Sequence, residues 1–339
     1  MKKWFSYGFL ALVGLAAALF AYHFYAAADA GQKLDESIQQ VSQEANLNLT
    51  INYSSIEVSP FSGDVVFSDV NIIRDQDIQR AKTARFDLAY SEFVNITLWG
   101  TEYGLREIEQ GILQLSDLSY TNRSSLIEVK LDSLHIDYRG NLWNLIVLGI
   151  TRASAVTGHH IDAIGTRFSF SQPSSDIGAI RADTLTWRTH FGRPAEPPDS
   201  LYSTAALSGI TWTPPKAFQD KYSFFIQGFG YRPDTIPMER ATARYRLHPS
   251  GDSLSIDRLT LYTDLFNTTA KGMIAVDGQS PGQSRLNNLV IRLEELSPRF
   301  RNFLGQLKKL TGLPLPHTDD SIVLSLDGSV DRPRITITE

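Results

Sequence analysis

Ile127-Glu-Val-Lys-Leu-Asp-Ser-Leu-His-Ile-Asp-Tyr138 alternates apolar and polar residues, then slips by one. Ile127, Val129 and Leu131 keep one phase; Leu134, Ile136 and Tyr138 keep the other. A period of two marks a strand with one buried face. A slip of one residue turns side chains to the opposite face, so a bulge is expected near Asp132 or Ser133.

The same period runs outward in both directions. Upstream, Ile51–Val58 and Val65–Ile73 read as a hairpin around Pro60 and Gly63, and Ala84, Phe86, Leu88 and Tyr90 alternate. Downstream, strands are expected at Ile164–Phe170, Thr184–Phe191, Ser208–Thr213, Tyr222–Tyr231, Ala241–Leu247, Leu254–Tyr262, Thr269–Val276, Leu289–Leu293, Ile322–Leu326 and Ile335–Ile337. Pro214-Pro215, Pro233-Asp234, Asp277-Gly278 and Asp327-Gly328 punctuate them. Many strands, frequent turns and few helices give a mainly β fold, an extended antiparallel, curved sheet that is either a groove or a sandwich. Gly192–Ser200, with three prolines, is the best linker candidate within residues 49–339.

Few segments break the pattern. Phe93–Leu98 and Leu142–Leu148 are short and strongly apolar. Ser297–Thr311 is the clearest helix outside the N-terminal region. Ser297 is its N-cap and Pro298 its first helical residue, Gly312 follows, and Phe300, Phe303, Leu304, Leu307 and Leu310 form one stripe. Lys33–Ala45 also has helical spacing, within an amphipathic connecting segment at 29–48.

Before that segment lies Trp4–Ala28, which carries no formal charge apart from His23. About 20 apolar residues cross a bilayer core as a helix. Lys2 and Lys3 precede the stretch, and Asp29, Asp35 and Glu36 come after it. The positive-inside rule then keeps residues 1–3 in the cytoplasm and sends the rest of the chain across the membrane. A cleaved export signal is the competing reading, with small residues at Ala26-Ala27-Ala28. The length of the apolar run favours an anchor, and both readings export the chain beyond Ala28.

Composition excludes several classes of function. The chain has 339 residues, 42% of them hydrophobic and 20% charged, with a net charge of −5. That balance offers no basic surplus for nucleic acid. Cysteine is absent, which rules out disulfides, thiolate metal sites and cysteine catalysis. No Gly-x-Ser-x-Gly elbow, Ser-x-x-Lys motif or phosphate-binding loop occurs, so neither an enzyme nor a cofactor is expected. His159-His160 with Asp162 is a weak metal candidate, because neighbouring strand residues point to opposite faces. No metal site is expected.

Aromatics concentrate in Phe218–Tyr231. Read as a strand, this segment is apolar on both faces: Tyr222, Phe224 and Ile226 on one, Phe225, Phe229 and Tyr231 on the other. Such a strand is either buried between layers or offers one face to a ligand. Tyr222, Phe224, Phe225, Phe229 and Tyr231, with Trp212 nearby, are therefore the candidates for contact with an apolar ligand.

A weak repeat of roughly fifty residues runs through the first half. A strand leads into an apolar segment (Phe93-Val-Asn-Ile-Thr-Leu-Trp-Gly100; Leu142-Trp-Asn-Leu-Ile-Val-Leu-Gly149), and a second strand comes next. Lys271-Gly-Met-Ile-Ala-Val-Asp-Gly278, Leu289-Val-Ile-Arg-Leu293, the helix Ser297–Leu310, and the ending Ile322-Val-Leu-Ser-Leu-Asp-Gly-Ser-Val-Asp-Arg-Pro-Arg-Ile335 complete the layout. With the anchor and the first hairpin, this layout resembles the AsmA-like proteins of Gram-negative envelopes, relatives of the TamB-type and bridge-like lipid-transfer proteins. It is less similar to the N-type component of type II secretion, which shares the single anchor and the closing pattern. The resemblance implies a groove-like sheet whose apolar face holds acyl chains. It implies a single-pass inner-membrane protein with a periplasmic domain, active in lipid handling or outer-membrane biogenesis. Phospholipid and other envelope proteins would be its partners. The alternative is a non-enzymatic interaction subunit of an envelope or secretion complex.

Overall fold

The computed structural model describes residues 2–43, 49–88, 98, 110–140, 160–172, 178–191, 201–247, 253–275, 284–311, 321–329 and 332–338; within α1 the side chains described are those of residues 17–36, 38 and 39. The long helix α1 (Lys2–Gln43) leads into β1 (Leu49–Asn52), β2 (Ser55–Val58), β3 (Val65–Arg74), β4 (Asp77–Asp87), β5 (Gln110–Asn122), β6 (Ile127–Arg139), β7 (His160–Gln172), β8 (Gly178–Phe191) and β9 (Leu201–Thr213). After helix α2 (Lys216–Gly228) come β10 (Ile236–Leu247), β11 (Ser253–Tyr262), β12 (Asn267–Ala275) and β13 (Arg285–Glu294). Helix α3 (Pro298–Thr311) precedes β14 (Ser321–Ser329) and β15 (Arg332–Thr338).

All fifteen described strands belong to one open antiparallel sheet. From β3 to β15 each strand pairs with its neighbour in sequence, so the chain meanders from one edge to the other. β1 and β2 lie end to end along β3, pairing with Asn71–Arg74 and Val65–Ser68 respectively. No described strand joins β15 back to this edge, so the described sheet does not close into a barrel. β8 and β9 pair along their length, so the sheet is continuous across the expected linker. Residues 192–200 themselves lie outside the described residues, as do 93–97 and 142–148.

The phase slip in β6 is one point on a crease that crosses the sheet. Asp69, Asp117, Arg167 and Gly209 have left-handed backbone with φ of 51°, 48°, 49° and 60°. They sit in alternate strands β3, β5, β7 and β9. The flanking pairs (Ser68 with Thr83, Ser116 with Ser133, Thr166 with Thr184, Ser208 with Arg240) place all four on one row, with Lys82, Asp132, Asp183 and Glu239 on the strands between. Both members of each pair slip together, so register is kept and no residue is inserted. The bulge expected at Asp132 or Ser133 is thus a change of phase shared with Asp117 and Arg167 across the ladder. The first three left-handed residues recur about every fifty residues, the period of the repeat. From β10 onward the irregularity becomes true bulges, between Ile256 and Leu259, Lys271 and Met273, and Leu286 and Leu289.

α1 holds the first edge. Ala26, Ala27 and Ala30 are buried against Val58, and Leu34 joins the core with Val65 and Phe67. These small residues let the helix approach the strand backbone closely. The Tyr53 hydroxyl donates to the Asp35 carboxylate. Burial, then the hydrogen bond to Asp35 and its charge, raise the Tyr53 phenol well above its ordinary value. The tyrosine therefore stays protonated and remains a donor.

The crease makes Gly209 sensitive. A Cβ there would fall 2.1 Å from Asp183 Oδ2, on a backbone that L side chains rarely adopt. Gly111, near one end of β5, has nothing within 4 Å of such a Cβ. Gly209→Ala is expected to lower stability by about 1–3 kcal/mol. Gly111→Ala should leave it unchanged or slightly raised, as read from urea unfolding midpoints of the two variants.

Candidate functional site

Because the phase shifts at the crease, apolar residues on both of its sides face the same way. On one side run Phe67, Ala84, Leu115, Leu134, Gly165, Leu185 and Leu207, joined strand to strand by the register. Two residues further along are Val65, Phe86, Leu113, Ile136, Ala163, Trp187 and Ala205. Across the crease lie Leu118, Leu131, Phe168, Ala182, Ile210 and Met238. A Cβ on Gly165 would come within 2.4 Å of Leu131 Cδ2, so Leu131 leans across the crease onto the same face. Leu115, Leu134, Leu185 and Leu207 are only half-buried. Among the described residues no second sheet packs on this face, and the main helix packing is that of α1 on β1 and β2. Towards the 140–159 connection the face is more enclosed, with Tyr138, Ile161, Thr189 and Ser203 buried.

The opposite face is polar. A row of hydroxyls (Ser68, Thr83, Ser116, Ser133, Thr166, Thr184 and Ser208) runs along the crease. Thr83 and Ser116 are hydrogen-bonded at 2.6 Å, Ser133 and Thr166 at 2.7 Å. Arg167 pairs with Asp132 at 2.5 Å, and Arg85 with Asp64 at 2.6 Å. The Arg167–Asp132 pair is exposed on both sides and contributes little to stability, whereas the Asp64 carboxylate is mostly buried beneath Arg85.

His160 and Asp162 share this polar face, two residues apart on β7, with His160 Nε2 2.9 Å from Asp162 Oδ2. Arg188 Nε donates to the other carboxylate oxygen. Burial opposes ionisation of Asp162, but the hydrogen bonds and charges of Arg188 and His160 outweigh it and hold the carboxyl below its usual value. Arg188 thus takes up one carboxylate oxygen of Asp162 and His160 the other, and the described residues contain no group of three metal-ligating side chains. His159 lies outside them.

The aromatic segment differs from its sequence reading. Lys216–Gly228 is a helix, α2, and not part of a strand Tyr222–Tyr231. Phe218, Tyr222, Phe225 and Phe229 recur at intervals of four, three and four, the spacing of a helix face. Pro214-Pro215 sets its start, with the Gln219 side-chain Nε2 donating to Pro214 O at 2.7 Å. At its end Gly230, with φ of 79°, reverses the chain as the Gly230 amide donates to Gln227 O and the Tyr231 amide to Ile226 O. Period-two reading failed because aromatics fill every phase of the segment.

The helix sorts the six candidates. Trp212 stacks on Phe218 with centroids 5.2 Å apart, and Phe218 on Tyr222 at 4.7 Å. Phe225 meets Phe303 of α3 at 5.6 Å, and Phe229 meets it at 4.6 Å. Phe300 extends the cluster to Phe266 at 4.8 Å. The Tyr231 hydroxyl is buried and has no hydrogen-bond partner among the described residues. Phe224 stands apart at 82% exposed, while Ile226 is 7% exposed.

α3 agrees with its sequence signals. The Phe300 amide donates to the Ser297 hydroxyl at 3.3 Å, and Pro298 opens the helix. Leu304 packs with Leu296 and Ile322 of the sheet. Arg299 donates to Phe229 O at 2.5 Å, and so holds the C-terminal end of α2. α2 and α3 are thus a mutually packed pair at one end of β9–β14.

The sequence missed the half-buried leucines of the apolar face as a site. Their signal was the apolar phase of each strand, which becomes one surface only when register is known. No family model matches the chain, and neither a curated protein nor a solved structure does.

A strand would give Phe224 and Ile226 the same face and similar tolerance to change, whereas the helix separates them. Phe224→Ser should shift stability by no more than about 0.5 kcal/mol. Ile226→Ser should cost about 2–4 kcal/mol, by a large-to-small change at a buried site. Parallel denaturation curves of the two variants measure the difference.

Proposed function

We propose that this chain is a single-pass inner-membrane protein whose exported, AsmA-like β-domain shelters phospholipid acyl chains on the apolar face of its sheet. The carrying observation is that face itself. It runs through β3 to β10 on both sides of the crease; Leu115, Leu134, Leu185 and Leu207 on it are half-buried, and no second sheet is described over them. Val65, Phe67 and Ala84 at its first edge are buried with Leu34 of α1, while the leucines further along keep part of their surface exposed, and apolar surface left exposed in this way marks an interaction site. An acyl chain laid on it gains about 0.8 kcal/mol for each CH₂ removed from water. The strand-to-strand continuity supplies a track and not a pocket, which suits a ligand long in one dimension.

The anchor is supported by sequence and by exposure. Among the described residues no helix is long and apolar enough to cross a membrane. The expected span is Trp4–Ala28, and the side chains of its residues 4–16 lie outside the description. Over the described remainder, Leu19, Phe20, Tyr22, Phe24 and Tyr25 are exposed. A helix that is apolar all round and uncovered by protein calls for a non-aqueous surrounding. Lys2 and Lys3 orient it with the N-terminus in the cytoplasm. The AsmA-like layout of strand, apolar segment and closing strand pair supports the same reading. The α2–α3 pair acts as a stop at one side of the sheet rather than as the lipid wall itself.

Site-specific photo-crosslinking of the full chain in native membranes tests this. A photoreactive residue at Leu115, Leu185 or Leu207 is expected to label phospholipid, and one at Gln114, Thr186 or Arg188 on the polar face is not. Equal labelling from both faces, or none from either, would remove the apolar face as the lipid site.

A further inference from the structure

Between β2 and β3 the chain turns through Ser59-Pro60-Phe61-Ser62-Gly63-Asp64. Phe61 is 52% exposed at the tip. Its ring meets Phe20 at 5.4 Å, His23 at 5.7 Å and Phe24 at 5.9 Å. These contacts fall where α1 changes its surroundings. Residues 17–25 are exposed on nearly every side, whereas Ala26, Ala27 and Ala30 are buried against the strand edge. The first described charges of the helix, Asp29 and Lys33, pair with each other at 2.7 Å, one turn beyond that boundary.

Ser59, Ser62, Gly63 and Asp64 of the turn are tied to one another. The Ser59 amide donates to Asp64 O at 2.8 Å and the Gly63 amide to Ser59 O at 3.2 Å. The Ser62 hydroxyl donates to Asp64 Oδ2 at 2.8 Å, and Arg85 pairs with the same carboxylate. Pro60 has no amide hydrogen to satisfy. Turns normally resist leaving water because of their free backbone groups. This one ties its two ends together through Ser59 and Asp64, although Asp64 Oδ1 is buried with no hydrogen-bond partner among the described residues, and what it presents outward is an aromatic ring.

We propose that the Ser59–Asp64 turn is a second membrane contact, with Phe61 seated in the headgroup–acyl boundary of the bilayer beside Phe20 and Phe24. Aromatic side chains favour that depth. A bilayer fits better than a protein partner because Phe61 lies against Phe20, His23 and Phe24 on a stretch of helix that is exposed on nearly every side and belongs to the apolar run Trp4–Ala28. The contact pins the β2–β3 end of the sheet to the membrane. It holds Val65 and Phe67, the first residues of the apolar face, within reach of lipid leaving the leaflet. The inference rests on reading Trp4–Ala28 as membrane-embedded.

The absence of cysteine makes the test simple, since a single introduced cysteine is the sole labelling site. Full-length Phe61→Cys, Tyr25→Cys and Lys271→Cys are each labelled with an environment-sensitive fluorophore. Each is reconstituted in phosphatidylethanolamine–phosphatidylglycerol vesicles with or without lipid spin-labelled near the headgroup. The expected result is blue-shifted, spin-quenched emission at Phe61→Cys comparable to that at Tyr25→Cys, with none at Lys271→Cys. Quenching at Tyr25→Cys but not at Phe61→Cys overturns the second contact and leaves the anchor standing. Quenching at neither overturns both.

Discussion

A sheet of many long strands has one apolar face only if every strand presents its apolar phase to the same side along its whole length. Strict alternation would achieve that with flat, unbroken strands. Here Val65 and Phe67 precede Asp69, Val70 and Ile72 come after it, and the two sets differ in phase. The left-handed residues at Asp69, Asp117, Arg167 and Gly209 reconcile them. Each absorbs the odd residue within its strand while the ladder on both sides keeps register. A single strand bearing such a slip would lose pairing with straight neighbours, so the slip has to be shared by all of β3 to β10. The hydroxyls beside it pair across strands (Thr83 with Ser116, Ser133 with Thr166, Thr184 with Ser208) and mark the polar side of the line.

The helices belong to the edges of this arrangement. α1 closes the first edge through alanines that permit close approach and through the Tyr53–Asp35 hydrogen bond. α2 and α3 close one end of β9–β14 by packing aromatic rings on each other, with Arg299 donating to the carbonyl of Phe229, the residue that caps α2. Neither arrangement covers the half-buried leucines between them. In the functional reading the helices anchor and bound the apolar face, and the face is where the ligand lies.

Much of this was legible in the sequence. The alternating runs located most strands, and the slip at Asp132 was visible because Leu131 and Leu134 break the period. Ser297, Pro298 and the Phe300–Phe303–Leu304 stripe specified α3. The segment 218–231 misled, because with aromatics in every phase a period of two fits as readily as 3.6. Pro215 before it and Gly230 after it carried the helical information instead. The crease as a whole could not be read, because it exists only in register: Asp117 and Arg167 become neighbours of Asp132 through pairing and not through any local signal. For the same reason Leu115, Leu185 and Leu207 were apolar strand positions in sequence and one surface in the fold.

The central claim is that the apolar face of the sheet carries lipid. It is tested most directly by mass spectrometry of lipids extracted from the exported region, residues from Asp29 onward, purified without detergent and compared with a mock purification. The account predicts phospholipid bound at about one or more molecules per chain, since the face runs across many strands of the sheet. A folded, monodisperse domain that carries no lipid beyond the mock level would contradict it.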